Sequence, residues 1–160
     1  MATWPTVTDD DGTGTTGTII DLALFNSIRD YIGAAWTAVT YAAGNHTGSG
    51  TLTWTVASGD QVVYAYIVIG KTLTLSWHIT TSTVAGTGTE LRLAVPVGFT
   101  YSRSIRTVGY YSDNGTEGVG LVSYVAADAY VRIYKSSTSS NWSAATDTTI
   151  TAGQITLEIA

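Results

Sequence analysis

From Trp36 to the C-terminal residues, apolar and polar positions alternate with a period of two, which is the pattern of a strand with one buried and one wet face. Leu52, Trp54 and Val56 alternate with threonines. Leu73, Leu75, Trp77 and Ile79 alternate with Thr72, Thr74, Ser76 and His78. The same alternation carries Leu91, Leu93, Val95 and Val97, then Val131 and Ile133, then Ile155, Leu157 and Ile159. Turn chemistry falls between these runs at Ser58-Gly59-Asp60, Gly70-Lys71 and Asp113-Asn114-Gly115, the last a strong hairpin signal. Eight or nine short strands in this span predict an all-β domain over residues 36–160. The simplest arrangement is a jelly-roll-like antiparallel β-sandwich.

Gln61 to Ile69 departs from this pattern because both of its faces are apolar: Val63, Ala65, Ile67 and Ile69 on one, Val62, Tyr64, Tyr66 and Val68 on the other. A strand of that kind is covered twice, so Tyr64 and Tyr66 are expected to pack against a second subunit. Ahead of the strands, residues 1–35 read as an arm followed by the one helical period in the chain. Thr18 is the predicted N-cap, with Asp21 three residues later. Ile20, Leu24 and Ile28 then recur at helical spacing, and Gly33 supplies a stop. So short an amphipathic helix needs a docking partner, so Leu24 and Ile28 join Tyr64 and Tyr66 as expected subunit-packing residues.

Composition changes the picture in one respect. Charged residues make up 12% of the chain, about half the usual share, and polarity comes instead from Ser, Gly and 29 threonines. Few charges leave little electrostatic resistance to close packing between copies. The net charge of −5, with seven basic residues and no basic run, argues against a nucleic-acid partner. No apolar run is long enough for a membrane-spanning helix, so no membrane insertion is expected. The opening MATWPTVTDDDGTG shows neither part of a signal peptide, which points to synthesis in the cytoplasm without an export signal.

Catalytic chemistry finds little material. There is no cysteine, and the two histidines, His46 in a loop and His78 on the polar side of a strand, lie near no nucleophile signature. Asp9-Asp10-Asp11-Gly12 does not follow the ligand spacing of a calcium loop. With three glutamates in the chain, an acidic pair for glycoside hydrolysis has few candidates. No catalytic, metal or cofactor-binding residue is expected. Aromatic residues are the richer group, with 5 Trp and 10 Tyr against 2 Phe. Trp54 and Trp77 fall on inward positions. Tyr130 and Tyr134 flank Arg132 on an outward face, Tyr110 and Tyr124 are candidates for the same, and Trp142 stands alone in the polar loop SSTSSNWSAATDTT. Tyr130, Arg132, Tyr134 and Trp142 therefore form the candidate ligand or interface surface, Trp142 either tucking back onto the domain or presenting a tip.

The layout as a whole combines DDDGTGTTGT, the helix TIIDLALFNSIRDYI, the strands GTLTWTVASGDQVVYAYIVIGKTLTLSWHI, the proline-containing LAVPVGF, the DNG hairpin and a final GQITLEI. It resembles small jelly-roll virion proteins of tailed bacteriophages. That resemblance implies a non-enzymatic, homotrimeric capsid decoration or head-fibre protein, anchored to other virion proteins by its N-terminal arm and located in the virion. The alternative within the same resemblance is a tail-fibre tip or carbohydrate-binding module that recognises host surface glycans.

Overall fold

The computed structural model describes residues 35–138 and 140–159. The predicted arm, the helix, Leu24, Ile28 and Asp9 to Asp11 lie outside them. The described chain is built almost wholly of antiparallel strands: β1 (Thr37–Ala38), β2 (His46–Gly48), β3 (Thr53–Thr55), β4 (Gln61–Ile69), β5 (Thr72–Ala85), β6 (Leu91–Ala94), β7 (Ile105–Asp113), β8 (Thr116–Tyr124), β9 (Tyr130–Tyr134) and β10 (Ala145–Glu158). A single 3-10 turn, Ala43–Asn45, precedes β2. Hydrogen bonds connect the strands into one sheet, in the order β1-β4-β5-β10-β7-β8-β9-β6-β2, with β3 on β5.

Why the sheet curls is visible in β5. Leu73, Leu75, Trp77 and Ile79 point inward, but past Thr81 the inward positions become Ser82 and Val84. The phase changes at Thr81, whose φ is +47°, opposite an irregular stretch of β10 where the register slips twice between Ala145 and Thr151. Bulges of this kind bend a strand and increase its twist. Asp147, also at positive φ, is tied to Thr83 by two hydrogen bonds of 3.0 and 3.1 Å. Below the bulge β5 pairs with β4; above it, β3 takes β4's place.

The inward face carries the core, and most of the period-two expectation is met. Leu52, Trp54, Val56, Trp77, Leu91, Leu93, Val131, Ile133, Ile155, Leu157 and Ile159 are all buried. Trp54 donates through Nε1 to Ser82 Oγ at 2.9 Å, and the Ser82 hydroxyl in turn donates a hydrogen bond to the Thr149 carbonyl at 2.7 Å. One run is shorter than its pattern: β6 stops at Ala94, Pro96 cannot donate to a ladder, and Val97 beyond it is 95% exposed. The Asn114-Gly115 hairpin forms as expected, both residues at positive φ (49° and 79°).

The two ends of the strand order come back together. His46 of β2 packs edge-on to Trp54 of β3 at 5.2 Å and lies 6.2 Å from the Tyr64 ring of β4. Tyr64 Oη donates to the Ala94 carbonyl at the end of β6. These contacts close the curl around the core.

Candidate interaction surface

An inverted pattern positions the outer face. In most strands the large apolar side chains point inward, but β7 and β8 turn Val108, Tyr110, Val119 and Leu121 outward and set Gly109, Gly118 and Gly120 on the inner side. A Cβ has no room at these positions: on Gly120 it would meet the Tyr134 carbonyl, on Gly109 the Val122 side chain, and elsewhere large rings occupy the space. A Cβ on Gly118 would sit 2.6 Å from the Tyr111 ring, and one on Gly153 of β10 would sit 2.6 Å from the Trp77 ring. Tyr111 is in turn capped edge-on by Trp142 at 5.6 Å. Core volume in this region comes from three aromatic rings, and the strands beneath them contribute backbone.

The outward residues consequently line up. Cross-strand pairing runs Val63–His78–Ala152–Tyr110–Val119 across β4, β5, β10, β7 and β8 without a charged residue. Val119 is 71% and Val108 65% exposed, far beyond the half-burial that a strand on a closed core shows. Val63 and Tyr110 are also exposed. Glu117 borders the row; partial desolvation first, then the hydrogen bond and charge of Glu117, raise the Tyr110 phenol above its ordinary value.

Next to this row, the outer faces of β6 and β9 hold a polar cluster that includes three of the residues singled out in the sequence. Arg92 and Arg132 face each other across the ladder. Both guanidiniums lie over the Tyr130 ring, at 4.7 and 5.6 Å from its centroid. Glu90 accepts from Arg92 Nε at 2.8 Å and from Tyr134 Oη at 3.0 Å, while Asp128 accepts from Arg132 Nη2 at 2.5 Å. Burial and the Glu90 carboxylate raise the Tyr134 phenol. Two cations meet two anions, so the cluster is charge-balanced, and the ring of Tyr130 is roofed by its own neighbours. Its arrangement suits fixing the positions of β6 and β9 better than recruiting an anion or stacking a sugar.

Of the two placements open to Trp142, the structure has it tucked back onto the domain: it is 2% exposed, its backbone N–H bonds the Gly88 carbonyl at 3.0 Å, and Lys135 Nζ lies 6.0 Å from its ring centroid. Other expected residues are placed differently. Tyr64 is not a subunit contact but a core residue, because β4 turns it inward to close the curl. Tyr66 also points inward, half-buried and edge-on to Phe99 at 5.7 Å. Tyr124 is fully buried, its hydroxyl on the Asp128 carbonyl at 2.9 Å. His46 lies in a strand and not in a loop. Tyr110 faces outward as expected, but Val108, Val119 and Leu121 were missed by strand reasoning; the signal for them is apolar residues alternating with glycine in Val108-Gly109-Tyr110 and Gly118-Val119-Gly120-Leu121.

The described chain is thus an antiparallel all-β protein whose most distinctive surface is an outer-face row free of Asp, Glu, Lys and Arg. Set against known protein families, curated proteins and solved structures, the sequence and fold match none.

Proposed function

We propose that the chain is a non-enzymatic structural protein that works by packing against copies of itself, as a homotrimeric decoration or head-fibre component of a tailed-phage particle. The observation that carries this reading is the uncharged row from Val63 to Val119, with Val108 and Val119 standing out of the sheet. Exposed apolar side chains on a sheet face mark an interaction site, and a row free of Asp, Glu, Lys and Arg sets little repulsion against its own copy. The jelly-roll-like character belongs to the same proposal: the closure through His46, Tyr64 and Ala94 folds one sheet into two facing flanks around a shared core. The virion assignment rests on the resemblance of the sequence layout. The glycan-binding alternative loses its aromatic plates, since Trp142 is buried and Tyr130 is covered by two arginines.

Light scattering on the full chain tests the assembly reading. The expected result is a defined oligomer that Val108→Asp combined with Val119→Asp dissociates, with the β circular dichroism retained. A wild-type monomer over the micromolar range would overturn it.

A further inference from the structure

Where the curl closes, a titratable ring is buried without a partner. His46 is 3% exposed, and among the described residues neither of its ring nitrogens has a hydrogen-bond partner. Its surroundings are aromatic: Trp54 edge-on at 5.2 Å, Tyr64 at 6.2 Å and Tyr41 stacked at 6.3 Å. These three come from three separate segments, and on β6 the residue paired with His46 is the fully buried Leu93. None of the four is a carboxylate or a cation. Glu90 and Arg92 of β6 lie on the opposite face and are paired with each other at 2.8 Å. Asp60, ahead of β4, is engaged with the Ala57 N–H and the Thr81 hydroxyl. Among the described residues the Ala42 carbonyl is the one nearby group that favours the proton, and burial outweighs it, lowering the imidazole from its ordinary value. Tyr64 cannot supply a counter-charge, because its burial pushes the phenol up.

We propose that His46 is an acid-sensitive latch that holds β2 against β3 and β4 while neutral and releases this seam when protonated. Neutral imidazole fills the aromatic cage as a flat, nearly apolar ring. Imidazolium there would be a desolvated cation with no anion to pair with, a state that buried groups avoid by leaving the site. Release is local in the first instance, because β2 is a three-residue strand at the end of the strand order, bonded to β6 alone. The sign follows from linkage. A histidine whose folded-state pKa lies below the unfolded value of about 6.5 favours the closed form fully above that pH. As pH falls below it, the closed-to-open ratio drops by up to about tenfold per unit until the closed-state pKa is reached. His78, the other histidine, is half-buried on the outer face and serves as the control.

The test uses the full chain and does not depend on what the outer face binds. In the wild type, the His46 ring protons followed by NMR are expected to titrate below pH 6.5. Amide exchange, corrected for its intrinsic pH dependence, is expected to accelerate between pH 7.5 and 5 in residues 46–56 and 61–66. His46→Phe should abolish that acceleration, and His78→Gln should leave it intact. If His46→Phe does not fold, His46→Gln takes its place, and the wild-type titration needs no variant. A His46 ring that titrates at or above 6.5 would overturn the proposal, as would an unchanged acid response in the His46 variant.

Discussion

Asp113 shows how far one residue's environment decides its worth. It is buried at the end of β7, with Lys135 Nζ on Oδ2 at 2.6 Å, and the Ser143 hydroxyl and N–H on its oxygens at 2.9 and 3.0 Å. Asp113→Ala strands a largely buried ammonium and an N–H together, so a loss of about 3 kcal/mol is expected, read from the urea midpoint. The glycine at 153 is demanding in the opposite sense. A methyl group there meets the Trp77 ring at 2.6 Å, and that ring has no room to move. Gly153→Ala is therefore expected to cost about 2 kcal/mol by overpacking, seen as a lowered Tm. Neither demand could be read from sequence. Asp113 reads in the sequence as the first residue of a turn, and Gly153 as part of the final GQITLEI strand. Both depend on residues distant in the chain, Lys135 and Ser143 for one and Trp77 for the other.

For single elements, local chemistry was a good guide where it was complete within a few residues. The β7–β8 hairpin needs positive φ at both Asn114 and Gly115, and Asn-Gly is the pair that accepts it. Gly115→Ala is expected to destabilise by about 1 kcal/mol, measurable by thermal denaturation, since its Cβ meets open space and the cost is conformational alone. The alternating strands from Leu52 to Val56 and Leu73 to Ile79 were legible for the same reason. Gln61 to Ile69 was half legible. Its doubly apolar composition was plain, but a bulge between Gln61 and Val63 decides which face is inner, and Tyr64 and Tyr66 went to the core. Tyr130, Arg132 and Tyr134 were legible as outward neighbours, which the structure brings together in a charge-balanced cluster, whereas of the apolar row only Tyr110 was read as outward. For Trp142 the sequence left two placements open, because the Tyr111 ring it packs against is distant in the chain.

As a whole, the sheet depends on a small number of contacts that join its ends. Tyr64 Oη to the Ala94 carbonyl is one of them, linking β4 to β6 across the core. Tyr64→Phe keeps the ring and removes the bond, so a loss of about 1 kcal/mol is expected. Hydrogen exchange should place the added opening at the end of β6 and spare the β5–β10 centre.

The glycine-backed strands have a consequence for how this protein can change. Because Val108, Tyr110, Val119 and Leu121 all point away from the core, while Gly109, Gly118 and Gly120 alternate with them on the inner side, the packing of the interior does not depend on what those four side chains are. Substitution pressure on the outer face is therefore largely uncoupled from substitution pressure on the core. A lineage carrying this fold is free to rewrite this part of its surface while inheriting its scaffold intact. An engineered library restricted to these four positions should yield mostly folded members.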